Sequence, residues 1–298
     1  SPFTIPRQPM NKEQQAHRQG GANTNYSSPI RKRFGQHFLE DTWTPKLIAA
    51  IAPKSSDCFI EVGPGRGVLT YSLAAKSTHV VAIEIDRNLA SNIRRQQNPQ
   101  ITIVEGDILE TDLKQLTLRT REKYSQSPIR LVGNLPFNIS SPLLFRVFGI
   151  QRSNRLFEDA TLMLQSEVAD RLIARPGSKA YGPLAVMAAV HAEISRRLVL
   201  PPGAFRPPPK VRSAVVSLRF RPTNLEIPNF ELFEKLVRQV FQHRRKMLSN
   251  ALLPIVSESR AEISGILSKT KIDGTRRPET LQLAEFAKIA SELNRFVI

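Results

Sequence analysis

Cys58-Phe59-Ile60-Glu61-Val62-Gly63-Pro64-Gly65-Arg66-Gly67 reads as three instructions in a row: a short buried strand, a glycine turn and the start of a helix. The strand portion is apolar apart from Glu61, and helical spacing resumes over residues 69–75. The rest of the chain repeats this unit. Residues 79–85 predict a second buried strand followed by a helix near 89–95, and residues 101–104 and 129–132 predict the third and fourth strands. A helix with Pro142 near its start runs through Leu144 and Val147, and residues 160–174 and 183–192 continue as strand and helix. Buried strands alternating with helices predict an α/β fold built on a doubly wound, Rossmann-like parallel sheet. Residues 194–200 and Ser213–Phe220, joined by a proline-rich loop, predict an antiparallel hairpin that closes it. Upstream, Asp41 or Thr42 is placed to cap a helix carrying Leu47, Ile48 and Ile51, with Pro45 in its first turn.

After Pro222 the pattern changes. Residues 230–248, 262–268 and 281–293 have helical spacing with no strand between them, which predicts an α/β domain over 31–225 and a small all-α domain over 226–298. Residues 1–30 are polar and without periodicity, as expected of a disordered extension. Within 1–9, Ser1-Pro2-Phe3-Thr4 has the look of a cloning scar, and Met10 is the expected native start.

The 298 residues carry 43 Lys+Arg against 26 Asp+Glu, a net charge of +17 that points to nucleic acid as partner. The excess is uneven: residues 41–140 carry +2, whereas 1–40 carry +4 and 141–221 carry +8. A nearly neutral small-molecule pocket flanked by polyanion-binding surfaces fits that distribution. Cys58 is the sole cysteine, which excludes a disulfide scaffold and a multi-cysteine zinc site. His17, His37, His79, His191 and His243 lack metal-ligand spacing, so no metal is expected. No apolar run approaches the roughly 20 residues of a membrane span. The expected protein is a cytoplasmic monomer.

Gly63-x-Gly65-x-Gly67 lets a ligand lie against bare backbone, but its third glycine comes one residue earlier than in the dinucleotide fingerprint. Preceded by an acid, it resembles motif I of methyltransferases that bind S-adenosylmethionine. Glu84, at the end of the second strand, is placed to accept both hydroxyls of a ribose, and Asp107, ending the third, suits the adenine edge. Asp86 and Glu105 read as solvated neighbours. The fourth strand ends in Asn134-Leu135-Pro136-Phe137-Asn138-Ile139-Ser140. The exocyclic amine of adenine is a weak nucleophile because its lone pair is delocalised into the ring. Accepting its N–H groups in the Asn134 side-chain oxygen and a backbone carbonyl of Leu135-Pro136 would localise that pair and aim it at an electrophilic methyl. Phe137 offers a face on which an extruded base stacks, worth on the order of 1–3 kcal/mol.

With these motifs placed, residues 31–298 strongly resemble the KsgA/RsmA family of small-subunit ribosomal RNA adenine N6,N6-dimethyltransferases. Besides the glycine and Asn134 motifs, the resemblance rests on Arg33-Phe34-Gly35-Gln36-His37-Phe38-Leu39, on Pro201-Pro202 through Phe205-Arg206-Pro207-Pro208-Pro209-Lys210-Val211, and on Phe241-Gln242-His243-Arg244-Arg245-Lys246. It implies S-adenosylmethionine as methyl donor, with S-adenosylhomocysteine as product. It also implies two adjacent adenosines near the 3′ end of small-subunit rRNA as target, within a pre-30S-type particle. Cofactor contacts are implied at His37 and Leu39, largely through backbone, and at Gly63, Gly65, Glu84, Asp107 and Asn134. The family commonly has Tyr at Phe137 and Asn at His37. Phe keeps the stacking face, and a backbone role would leave the His37 side chain nearly indifferent. Phosphate contacts are expected from the basic residues around 31–33, 171–175, 196–221 and 244–246, among them Arg31, Lys32, Arg33, Arg206, Lys210, Arg212, Arg244, Arg245 and Lys246. Rival readings are a large-subunit rRNA methylase, a protein-glutamine methyltransferase, a noncatalytic nucleic-acid-binding factor that keeps the fold, and a dehydrogenase.

Overall fold

The computed structural model describes residues 37–256 and 259–295 of the chain. A two-residue strand β1 (Phe38–Leu39) leads through a 3-10 turn into α1 (Thr44–Ile51). Then come β2 (Cys58–Val62), α2 (Val68–Ala74), β3 (His79–Glu84), α3 (Arg87–Arg95), β4 (Ile101–Glu105), α4 (Leu113–Lys123), β5 (Ile129–Asn134), α5 (Phe137–Asn154), β6 (Asp159–Gln165) and α6 (Ser166–Leu172). α7 (Pro183–His191), β7 (Ala192–Leu200), β8 (Phe205–Arg206) and β9 (Ser213–Phe220) complete the sheets. Among the described residues only helices follow: α8 (Phe230–Gln242), α9 (Leu248–Leu252), α10 (Arg260–Thr270) and α11 (Leu283–Asn294), with short 3-10 turns.

The main sheet runs β4-β3-β2-β5-β6-β9-β7, and β1 pairs with β8 in a separate ribbon. β2 through β6 are mutually parallel, whereas β9 runs antiparallel to both of its neighbours. The predicted doubly wound sheet and its antiparallel closure are both present. Strand order reverses between β2 and β5, so a crevice opens at their carboxyl ends, where α/β sheets bind ligands.

Period-two alternation on β2 divides the interior. Cys58, Ile60 and Val62 join the apolar core built with α5, α6 and α7, which continues through Phe233, Leu236 and Phe286 of the C-terminal helices. Phe59 faces the other way, into a core with Leu47, Ile51, Leu69 and Leu73 of α1 and α2. Burial of strands on both faces explains their nearly unbroken apolar runs. The lower ends of the strands are tied by Arg130, whose guanidinium donates to Asp57 (2.8 Å), Asp159 (2.9 Å) and the carbonyls of Ile51 and Ala52. Cys58 and His191 are buried, the His191 ring stacked between Phe148 and Phe230.

Three local expectations are corrected. Asp41 and Thr42 do not cap α1: the preceding 3-10 turn sets its start, its N-cap is Trp43 without a side-chain bond, and Pro45 does sit in the first turn. Pro142 lies inside α5 rather than near its start, because that helix begins at Phe137; burial of Leu143, Leu144, Val147 and Phe148 outweighs one lost backbone bond. The continuous helix over 230–248 is two helices, α8 and α9, separated by a turn at 243–247.

Candidate active site

Gly63, Gly65 and Gly67 all adopt positive φ between β2 and α2. At Gly65 the requirement is also steric, since a Cβ there would come within 2.9 Å of the Phe38 ring. β1 thus lies against the glycine turn, with the Arg66 guanidinium 4.8 Å from the centroid of the same ring. A Cβ on Gly63 would lie 3.7 Å from the Asn134 carbonyl oxygen, so the turn after β2 and the turn after β5 are immediate neighbours.

Glu84, at the end of β3, is 2 % exposed. Its Oε2 accepts from the Gly65 N–H and its Oε1 from the Asp86 N–H, each at 2.9 Å. Burial raises its pKa, and the backbone N–H groups of Asp86, Gly65 and Ile85 oppose the rise. A carboxylate has about four acceptor positions, so these bonds leave acceptor capacity for hydroxyl donors. Asp107 caps its own turn, Oδ1 accepting from Leu109 N at 2.9 Å and the main-chain oxygen from Glu110 and Thr111, which leaves Oδ2 for a donor in the crevice. Asp86 and Glu105 have structural duties: Asp86 accepts from Asn88 and Leu89 at the start of α3, and Glu105 pairs with Arg87.

Two further groups, Glu61 of the glycine motif and Ile85, carry no separate role in the sequence reading. Glu61, on the α2 side of β2, is 2 % exposed, and burial pushes its pKa up to about 7 despite the nearby Thr70 hydroxyl; the Glu84 charge adds to the rise. Neither Glu61 Oε2 nor Thr70 Oγ1 reaches hydrogen-bond geometry with any described group. The acid before the glycines was the available signal. Ile85, directly after Glu84, is 42 % exposed, an apolar surface beside that carboxylate. Its signal was an aliphatic residue running past a strand end.

Asn134 is the last residue of β5, and its side chain has one defined orientation: Nδ2 donates to the His37 main-chain oxygen at 2.9 Å. The amide oxygen is therefore directed away from β1 and kept as an acceptor. Of the two neighbouring carbonyls, Pro136 O already accepts from Ile139 N, Ser140 N and Ser140 Oγ in the first turn of α5. Leu135 O has only a long 3.5 Å approach from Ser140 Oγ, which singles it out as the second acceptor of the turn. Leu135 itself is buried and hydrogen-bonded through its N–H to Met163 O. Phe137, first residue of α5, is 50 % exposed beside these acceptors.

His37 holds more than its backbone role required. Its Nδ1 lies 2.7 Å from Pro207 O, and because a carbonyl can only accept, Nδ1 carries the proton. The ring anchors the N-terminal segment to the proline-rich loop, so the expectation that its side chain is nearly indifferent does not hold. Leu39 pairs with Phe205 in the β1–β8 ribbon.

The basic residues divide. Arg31, Lys32 and Arg33 lie outside the described residues. Arg206 is exposed, with Nε 3.3 Å from Glu40; Lys210, Arg212, Arg245 and Lys246 are exposed as well. Arg244 is the exception: its guanidinium donates to Glu279, to Lys179 O at 2.6 Å and to Ser178 O at 3.0 Å. It pins the turn after α8 to the loop before α7. Among the described residues no cluster of His, Cys, Asp or Glu is arranged to hold a metal ion, and no helix is long and apolar enough to cross a membrane.

A family model described as "Ribosomal RNA adenine dimethylase" matches residues 27–289. The chain belongs to the ribosomal RNA adenine dimethylases. Among curated relatives of this dimethylase, ribosomal RNA small subunit methyltransferase A of Xylella fastidiosa (strain Temecula1) is 39% identical over 90% of this chain and 98% of its own length. The protein of the same name from Xanthomonas oryzae pv. oryzae (strain PXO99A) is 38% identical, with the same coverage. Among solved structures, a dimethyladenosine transferase from Plasmodium falciparum superposes with a TM-score of 0.72 at 25% identity, covering 88% of this chain and 99% of that one. The 23S rRNA methyltransferase ErmE superposes with a TM-score of 0.62, also at 25% identity, covering 86% and 99%.

Proposed function

We propose that this dimethylase transfers methyl groups from S-adenosylmethionine to N6 of two adjacent adenosines near the 3′ end of small-subunit rRNA, forming N6,N6-dimethyladenosine in a cytoplasmic pre-30S-type particle, and that it acts as a monomer. The observation that carries the reading is the fixed Asn134 amide: with Nδ2 given to His37 O, only Oδ1 remains to meet an amine. Asn134 Oδ1 and Leu135 O accept the two N6–H groups, which withdraws the nitrogen lone pair from the ring and directs it across the crevice. Phe137 stacks the extruded base. Once N6 gains a carbon its proton becomes acidic and leaves to water, so no side-chain base is needed.

The residues present fit the donor. Glu84 retains acceptors for a ribose diol, Ile85 and Asp107 flank the position of an adenine, the glycine turn offers bare backbone, and Glu61 Oε2 and Thr70 Oγ1, from the strand before that turn and the helix after it, are buried without partners. When bound, S-adenosylmethionine supplies an electrophilic methyl on a sulfonium. The exposed cations Arg206, Lys210, Arg212, Arg245 and Lys246, with Arg31, Lys32 and Arg33, meet RNA phosphates, and the helical segment 226–298 contributes to target recognition. Support for the small subunit comes from relatives at 38–39% identity that carry that name, against 25% for ErmE.

The test is to incubate the protein with labelled S-adenosylmethionine and either undermethylated small subunits, large subunits or naked rRNA, and then to map the label. Dimethylation of two adjacent adenosines in the small subunit is expected. Label confined to large subunits or to protein would overturn the assignment.

A further inference from the structure

Three cations converge on a recess that the methyl-transfer site does not use. It measures about 360 Å3, lies between α1 and β7, and is lined by Lys46, Ala49, Ala50, Arg196, Arg197 and Leu198. β7 is an outer strand of the sheet, and its register with β9 slips at this point: Arg196 stands opposite Val216 and Leu198 opposite Val215. Arg197 is therefore the extra residue of a β-bulge, a device that breaks side-chain alternation and re-aims what it carries. All three cations are exposed. Arg196 pairs with Asp170. Lys46 Nζ lies 4.4 Å from the centroid of the Trp43 ring rather than against an acid, and no carboxylate lines the recess.

Charged residues on an outer strand discourage edge-to-edge pairing, which accounts for the two arginines. It does not account for Lys46, which reaches the same recess from a different element. Gathering like charges costs Coulomb energy unless an anion lies among them.

We infer that this recess grips a phosphodiester of the RNA substrate; the inference rests on the function proposed above. β7 lies three strands from β5 in the order β5-β6-β9-β7, a span of roughly 14 Å at strand spacing, so one RNA strand can reach both the recess and Phe137. The Arg197 fork and the Lys46 ammonium offer donors to the two non-bridging oxygens of one phosphate. A grip of this kind fixes affinity and register without reading bases.

The test compares the double variant Lys46→Ala/Arg197→Ala with a charge-matched control, Lys114→Ala/Arg119→Ala on the exposed face of α4. Dissociation constants for a small-subunit rRNA fragment are measured across a salt series, and S-adenosylmethionine binding is measured by calorimetry. The recess variant should bind RNA on the order of tenfold more weakly, with a log–log salt slope shallower by about 1, and should keep its S-adenosylmethionine affinity. The control should keep the parent slope. A recess variant matching the parent in RNA affinity and slope, or equal losses in both variants, would overturn the inference while leaving the proposed function standing. A parent that shows neither salt-dependent RNA binding nor methyl transfer would remove the proposed function itself, and the recess with it.

Discussion

Replacing Glu61 with Gln should stabilise the protein at alkaline pH and leave it nearly unchanged in acid. Glu61 is buried beside Thr70 without a hydrogen bond to Oε2, and its pKa is pushed from 4.5 up to about 7. A raised carboxyl pKa means that the folded chain holds a proton which the unfolded chain has released. The Glu61 contribution to stability is therefore nil below pH 4.5, grows more unfavourable as pH rises through the interval to about 7, and is constant above it. At 1.36 kcal/mol per unit the full loss is about 3 kcal/mol. Gln keeps the shape, carries no charge and offers an N–H to the Thr70 hydroxyl. Urea unfolding followed by circular dichroism, without cofactor, should show the Gln variant within about 1 kcal/mol of the parent at pH 4.5. It should be more stable by about 3 kcal/mol at pH 8, and the difference should climb by about 1.4 kcal/mol per pH unit between. His79 and His191 titrate alike in both proteins and cancel. A difference that does not vary with pH would refute the reasoning, because it would mean that Glu61 is not a buried, uncompensated acid.

Asn134→Ala should lower methyl transfer by at least about 100-fold, the scale of losing one oriented polar contact in a transition state, with a smaller change in S-adenosylmethionine affinity by calorimetry. Phe137→Ala should weaken RNA turnover by about 1–3 kcal/mol in kcat/KM, and Phe137→Tyr, which keeps the ring, should restore it. Arg130→Met leaves Asp57 buried without its partner and should cost about 3–5 kcal/mol in chemical denaturation, with unchanged activity per folded molecule because the cluster lies at the strand ends away from the crevice. His79 and His191 are both held near pKa 4 by burial, and their two shifts outweigh the opposite shift of the single Glu61, so net parent stability should decline as pH falls from 6.5 toward 4, more steeply in Glu61→Gln, read from urea midpoints at each pH.

Much of this was legible in the sequence, because local patterns carry it. The apolar runs of β2, β3 and β5 and the glycine turn identify the sheet, and Glu84, Asp107 and Asn134 follow from strand ends. What escaped depends on contacts between distant residues, which leave no periodicity to read. Nothing near Asn134 announces that its amide would be held by His37 O, and nothing near His37 announces Pro207. Nothing near Arg244 announces its bonds to Glu279 and to two carbonyls of the loop before α7. The break between α8 and α9 follows the same cause, since helical spacing alone cannot show where a tertiary anchor stops a helix.

The clasp formed by His37 with Asn134 and Pro207 also bears on when the protein becomes competent. His37 meets Asn134 across 97 positions of sequence and Pro207 across 170, and β1 pairs with β8 rather than with a strand near it in the chain. Closing loops of that length is entropically slow and requires the intervening sheet to be in place. A nascent chain emerging from its N-terminus can complete β2, β3 and β5 with their glycine turn, yet the acceptor amide stays unaligned until the proline-rich loop has been made and folded back. The orientation of that amide thus depends on chain made more than seventy residues after it.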